Sequence, residues 1–261
     1  MLVEPIRRLL PAGDKLIEPF VGAGSVFLNT DYDHYLLNDI NPDLIQLYKT
    51  LKRRPKTYIE DARRFFVPAN NNESAYYQLR ETFNQTRDPY LRSLLFLYLN
   101  RHGYNGLCRY NSKGLFNVPF GRYKAPYFPA AELEFFAEKS RKATFTCEPF
   151  QNSFRRARQG HVIYCDPPYL PLSPTANFTS YATHGFGLDE QLLLAQKAIH
   201  AAEKRGIPVL ISNHDTETAR LFYESAELTT LQVHRFISQN GATRNKVGEL
   251  LAFFVPQPRR K

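Results

Sequence analysis

The run Tyr164-Cys165-Asp166-Pro167-Pro168-Tyr169 constrains the fold more than any other stretch of this chain. His161 to Cys165 is short, β-branched and apolar, the pattern of a buried strand. Two successive prolines cannot donate to a ladder, so the strand has to stop at Pro167. Each proline also restricts the residue before it, which holds Asp166 and Pro167 extended. The expected product is a stiff rim at a strand's carboxyl end. It carries a carboxylate, a row of carbonyls without competing N–H donors, and the flat face of Tyr169. An exocyclic amine on a planar ring fits this rim. Its two N–H groups go to Asp166 and the Pro167 carbonyl while Tyr169 stacks on the ring. Such hydrogen bonds draw the nitrogen lone pair out of conjugation and aim it at an electrophile. The plainer reading is a strand-ending turn with an exposed acid, and the rest of the chain decides between the two.

Other segments build the frame around that rim. Lys15 to Pro19, Tyr35 to Asn38, Ala143 to Cys147 and Ile207 to Ser212 also read as strands. Helical patterns lie between several of them, such as Leu188 to Lys204 with its face of Leu192, Leu193, Ala195 and Ile199. Strands alternating with helices predict an α/β fold with a parallel sheet covered on both faces. Leu228 to Ile237 and Glu249 to Val255 predict an antiparallel hairpin around the polar loop Ser238 to Asn245, and the tail from Pro256 is expected to fray.

The first strand runs into Glu18-Pro19-Phe20-Val21-Gly22-Ala23-Gly24-Ser25 and then Val26-Phe27-Leu28, a glycine turn opening a helix. Glycines there let backbone approach a ligand closely. Asp39 follows the second strand, placed to accept from a ribose diol as in nucleotide-binding α/β sheets. The dinucleotide fingerprint wants a third glycine where Phe27 stands, which disfavours a pyrophosphate cofactor and leaves an adenosine ligand without phosphates. Gly22, Gly24, Asp39 and Asp166, at successive strand ends, then outline one crevice.

From Pro89 to Ala131 the chain has no Asp or Glu, while Arg92, Arg101, Arg109, Lys113, Arg122 and Lys124 are interleaved with Phe and Tyr. Residues 91–99 predict a buried helix. Asn100 to Tyr127, rich in Gly, Asn and aromatics, fits neither helix nor core strand. Basic residues among aromatics suit a surface that tracks phosphates and stacks or wedges bases. Phe96 and Tyr98 are assigned to a core, and Tyr104, Tyr110 and Tyr123 to base or backbone contact. The charge agrees: 34 basic residues against 25 acidic give +9, which favours a polyanionic partner. Three cysteines without metal-ligand spacing read as reduced thiols, and no metal site is expected. No apolar run reaches membrane-spanning length, so a soluble, cytoplasmic protein is expected; the sequence does not fix its oligomeric state, with a monomer in solution as the default.

The glycine segment and Asp166-Pro167-Pro168-Tyr169, in that order, resemble the S-adenosylmethionine-dependent DNA adenine-N6 methyltransferases of the class with the glycine motif first. Leu97 to Arg101, Gly103 to Asn111, Phe116 to Tyr123 and Ile211 to Asp215 are similar to the GATC-specific Dam type. The resemblance covers nearly the whole chain. It implies a Rossmann-like methyltransferase sheet, mostly parallel with an antiparallel C-terminal hairpin, and an inserted, mainly helical DNA-recognition domain. The catalytic domain would be residues 1–41 and 130–261, and the recognition domain 42–129. The cofactor implied is S-adenosyl-L-methionine, held by Phe20, Gly22, Gly24, Asp39, Ile40 and Asp166. The partner implied is double-stranded DNA, whose target adenine flips into the pocket.

By the same resemblance Asp166, Pro167 and Tyr169 hold and stack the target base. Tyr104 wedges into the duplex with Asn105 beside it, Arg109 reads a guanine edge, and Leu107 and Pro119 touch a thymine methyl. Arg122 and Lys124 neutralise phosphates, and Asn111 and Tyr123 complete the DNA-binding set. The family opens with an F-x-K-W-x-G-G-K segment. This chain has no Trp and begins at Met1-Leu2-Val3-Glu4, where the helix after that segment is expected. Weakened cofactor binding is expected for the chain as written. A binding module that has lost catalysis is the alternative from another class. Methylation of a cytosine amine or a glutamine amide is less fitting, because those families carry Ser or Asn where this chain has Asp166.

Overall fold

The computed structural model describes residues 2–171, 186–233 and 247–256. Its first elements are helix α1 (Val3–Leu9), strand β1 (Lys15–Glu18), helix α2 (Ser25–Asn29) and strand β2 (His34–Asn38). Helices α3 (Pro42–Arg53), α4 (Pro55–Arg63), α5 (Glu73–Gln85), α6 (Pro89–His102) and α7 (Ala130–Lys139) follow, then strand β3 (Ala143–Thr146). The remainder is α8 (Phe150–Arg156), β4 (His161–Cys165), α9 (Leu188–Arg205), β5 (Val209–His214), α10 (Glu217–Phe222), β6 (Glu227–Val233) and β7 (Val247–Phe254).

Seven strands form one sheet in the order β3-β2-β1-β4-β5-β7-β6. β1 is an interior strand parallel to both β2 and β4, with Ile17 facing Leu36 on one side and Ile163 on the other. β4 and β5 are parallel, and β7 enters antiparallel between β5 and β6. This is the expected mostly parallel α/β sheet with an antiparallel pair at the end. The loop foreseen at Ser238 to Asn245, the extension of its strand to Ile237 and most of the tail lie outside the described residues.

Capping sets several boundaries. Asn41 accepts from the N–H groups of Asp43 and Leu44 (2.9 and 3.3 Å), with Pro42 first in α3. Asp88 caps α6 in the same way through Tyr90, ahead of Pro89. α9 stops at Gly206, whose φ of 63° is the left-handed conformation that glycine supplies at helix ends.

The chain divides into two compact units, Met1–Ile40 with Glu148–Lys261, and Asn41–Cys147. In the first, Ile17, Ile163, Leu194, Ala198, Ile211 and Phe254 share one core. The chain leaves and re-enters this unit beside one side chain. The Asn38 amide donates to the Glu148 carbonyl (2.9 Å) and accepts from the Glu148 N–H (3.1 Å). It also donates to the Pro19 carbonyl at 3.0 Å.

The second unit is helical and centred on α6, whose Leu94 to Leu99 are all buried. The resemblance implies a boundary after residue 129, whereas packing carries the unit on to Cys147. Phe136 of α7 stacks on Tyr48 of α3 (4.5 Å between centroids), and Lys52 donates to the Ala143 carbonyl at 2.7 Å.

Candidate active site

Parallel register brings the carboxyl ends of β1, β2 and β4 together, and each ends in or beside an acid: Glu18, Asp39 and Asp166. Both halves of the expected crevice open into one cavity of about 900 Å³. Its lining includes Gly22, Asp39 and Ile40 from the first two strand ends and Asp166, Pro167 and Tyr169 from the third. Glu18, Asp39, Glu148, Asp166 and Glu190 are among its lining residues, and no described lysine or arginine is. In a chain of net charge +9 this is a local reversal of sign. Such a cavity suits a cationic ligand and amine donors and repels phosphates.

Gly22 (φ 47°) and Gly24 (φ 71°) both adopt left-handed backbone angles. A Cβ on Gly22 would meet nothing within 4 Å, so the turn requires glycine there for its angle rather than for space. The Gly22 N–H donates to Asp39 Oδ2 at 3.0 Å, which ties the turn to the end of β2. Ile40, 71% exposed, presents an apolar surface beside that carboxylate. Phe20 packs on Phe150 and edge-on against Phe186, with centroids 5.4 and 5.3 Å away. A flat apolar ring fits between such surfaces, with hydroxyl donors directed to Asp39.

Glu18 is the residue that the sequence reading named in a motif without giving it a role. It is 2% exposed, and its Oε1 has no protein partner. Burial, with the Asp166 charge second, pushes its carboxyl up to about 8, opposed by a hydrogen bond from the Phe27 backbone. An acid closing an apolar strand was the available signal. The folded state therefore holds a proton on Glu18 between about 4.5 and about 8, where the unfolded chain has released it. Stability of the ligand-free protein should fall as pH rises through that window. Glu18→Gln should flatten that dependence and leave the variant more stable than wild type above the window. Urea midpoints across the range test this, and parallel curves for the two proteins would contradict it.

On the rim, Asp166 and Pro168 are exposed, Pro167 is buried and Tyr169 is half-buried. The Tyr169 hydroxyl is hydrogen-bonded to the carboxyls of Asp166 and Glu249, and its ring meets His214 edge-on at 4.9 Å. Burial first, then the charges of Asp166 and Glu249, hold this phenol far above its ordinary value, so it stays protonated. Beneath the rim, the Tyr164 hydroxyl meets Ser212 Oγ at 2.7 Å.

In the second unit Tyr104, Asn105, Leu107, Arg109, Asn111, Pro119, Arg122, Tyr123 and Lys124 are all exposed. The backbone beneath them is held firmly. The Tyr104 N–H donates to the Pro119 carbonyl (2.9 Å), and the Asn105 N–H to the Tyr123 hydroxyl (2.9 Å). Arg109 donates through Nε to Asn117 Oδ1 at 2.8 Å, which orients its guanidinium in the free protein. Arg122 lies 3.5 Å from Glu73 in an exposed pair. Asn111 accepts from Lys113 and Leu115 N–H (3.0 Å each), so its side-chain oxygen closes a turn. Tyr110 differs from expectation: its hydroxyl donates to Asp43 at 2.7 Å, and its ring packs edge-on against Phe116. Phe116 and Val118 are also core residues, within a segment that sequence alone placed at the surface.

The family model for D12 class N6 adenine-specific DNA methyltransferases matches residues 1–237. The chain belongs to that family. It is 61% identical to the DNA adenine methylase of Vibrio cholerae over 255 residues, which cover 98% of this chain and 92% of that protein. Against the DNA adenine methylase of Escherichia coli K12 it is 58% identical over 255 residues, 98% of this chain and 91% of that one. The DNA adenine methylase of Serratia marcescens is 58% identical over 253 residues, covering 97% and 94%.

As a D12 class N6 adenine-specific DNA methyltransferase, the protein works with a methyl donor and a DNA substrate. The non-catalytic alternative, a DNA-binding module that has lost catalysis, is not favoured by this match. No described helix is long and apolar enough to cross a membrane.

Proposed function

We propose that the protein transfers a methyl group from S-adenosyl-L-methionine to the N6 amine of adenine in double-stranded DNA, at GATC, after flipping the base into the cavity. The observation that carries this reading is the one cavity shared by the glycine turn, Asp39 and the Asp166 to Tyr169 rim, lined by several acidic residues and by no described lysine or arginine. When bound, S-adenosylmethionine supplies an electrophilic methyl on a cationic sulfur. The residues present fit it: Asp39 for the ribose hydroxyls, Phe20 and Ile40 for the adenine ring, and the unpartnered Glu18 oxygen for a charged donor.

Asp166 and the Pro167 carbonyl then accept the two N–H bonds of the target amine, which turns its lone pair toward the methyl. Asp166 has no need to be a strong base, because the amine loses its proton readily once alkylated. Orientation is the larger effect. Flipping costs a few kcal/mol, and stacking on Tyr169 returns about 1–3 kcal/mol.

In the second unit, Tyr104 and Asn105 act at the vacated position, Leu107 and Pro119 meet a thymine methyl, and Arg122, Tyr123, Asn111 and Lys124 follow the backbone. Their common exposure, in a stretch without acids, supports this assignment. Arg109→Ala should lose about 1–3 kcal/mol of discrimination at one base while other positions keep theirs. An equal loss on every sequence would reassign Arg109 to phosphate contact.

Duplex DNA treated with the protein and S-adenosylmethionine should become resistant to a nuclease that GATC methylation blocks. Bound but unprotected DNA would overturn the reading in favour of a binding module.

A further inference from the structure

Proline fixes φ but leaves ψ open, so the two prolines of the rim do not by themselves orient the residue that follows them. Tyr169 hangs between two peptide planes, one carrying the Pro168 carbonyl and the other the Leu170 N–H. Both planes are held by buried side chains from outside the rim. Gln191, in the first turn of α9, donates through Nε2 to the Pro168 carbonyl at 2.6 Å. Asn213, near the end of β5, accepts from the Leu170 N–H at 2.9 Å. His214 Nδ1 donates to the Leu170 carbonyl at 2.6 Å and extends the hold by one plane.

The two amides are also joined to each other. Asn213 Nδ2 donates to Gln191 Oε1 (3.2 Å) and to the Tyr223 hydroxyl (3.1 Å), and that hydroxyl donates to Gln191 Oε1 (3.3 Å). Gln191, Asn213 and Tyr223 are each no more than 1% exposed. Burying two amides and a phenol is costly unless every group is paired. Here the pairing converges on the backbone of one aromatic residue at the cavity wall.

We propose, on the footing of the adenine-methyltransferase reading above, that Gln191 is a positioning residue for the reaction: with Asn213 it locks the peptide planes on either side of Tyr169 and so sets the plane on which the flipped base stacks. Gln191 touches neither the rim's acid nor the Pro167 carbonyl. Its effect on transfer passes through Tyr169, and it should appear in kcat rather than in binding.

The test compares the wild-type protein with Gln191→Met and Gln191→Glu in steady-state methylation of a GATC duplex. Gln191→Met keeps the volume and loses the donor. Its kcat should drop by about 10- to 100-fold, the scale for a small misplacement of reacting groups, with KM for DNA and for the methyl donor within about twofold. Gln191→Glu is nearly isosteric, facing Asn213 and His214 on β5 and the Tyr223 hydroxyl. Protonated, it can donate to Pro168 as glutamine does, and ionised it repels that carbonyl. Its kcat relative to wild type should fall as pH rises through the titration of the buried acid. A purely structural role would lower the unfolding midpoint without creating that pH limb. The proposal is overturned by a folded Gln191→Met with wild-type kcat, by a Gln191→Glu profile parallel to wild type, or by failure of both variants to fold. No transfer by the wild-type protein would sink the adenine-methyltransferase reading, and this proposal with it.

Discussion

Asp166→Ala is expected to lower methyl transfer by about 10²–10³-fold or more, the scale for removing one preorganised polar contact to a reacting centre. On the proposed reading, the exposed carboxylate at the end of β4 accepts from the target amine and helps draw its lone pair out of conjugation. Duplex affinity should change little, because phosphate and base-edge contacts are assigned to the second unit. Single-turnover transfer measured beside a DNA-binding titration separates the two effects. Retained turnover would remove Asp166 from the chemistry, and a matching loss of duplex affinity would move it to substrate binding.

The second large effect is on stability. Asp43, 6% exposed in the first turn of α3, accepts from Arg92 Nε (2.5 Å) and Nη2 (3.0 Å) on α6 and from the Tyr110 hydroxyl. Arg92 is further engaged by the Phe83 carbonyl at 2.7 Å and lies over the Phe83 ring. Asp43→Ala would leave a half-buried guanidinium and a half-buried phenol without the carboxylate they share. The expected cost is about 3 kcal/mol. Residues 41–147 should loosen first, detectable as protease cleavage between Leu107 and Lys124 before the sheet unfolds. The double variant Asp43→Ala with Arg92→Leu should recover part of the loss, since the stranded charge goes with it. An unchanged denaturation midpoint for the single variant would show that the triad contributes nothing net.

Much of the architecture could be read from punctuation. Prolines and glycines bracket β1 and β4, so those strand ends and the acids beside them were legible from local chemistry alone. The position of β7 between β5 and β6 was not, because a hairpin's sequence does not say which of its strands docks on the sheet. Tyr110 was misplaced for a related reason. Its neighbours are Arg109, Asn111 and Cys108, the setting of a surface loop, while its partner Asp43 is remote in sequence. Gln191 carried no signal either, and Asn213 stood only as part of the Ile211 to Asp215 segment, with no role attached. A glutamine in a helix's first turn usually faces water, and only the tertiary fold sets it against the Pro168 carbonyl. Glu18 is the intermediate case: its place at the end of an apolar strand marked it, but its raised pKa depends on packing that no local pattern shows.

The Asn38 clamp on Glu148 has a bearing on how such a protein can diversify. Entry and exit of the 41–147 segment are stapled at one amide, so the entropy of closing that long excursion is settled where it starts. Substitutions or length changes at the tips of the excursion neither stretch nor slacken the strands on either side. Changes can therefore accumulate along the excursion while the strand ends that carry Asp39 and Asp166 keep their places.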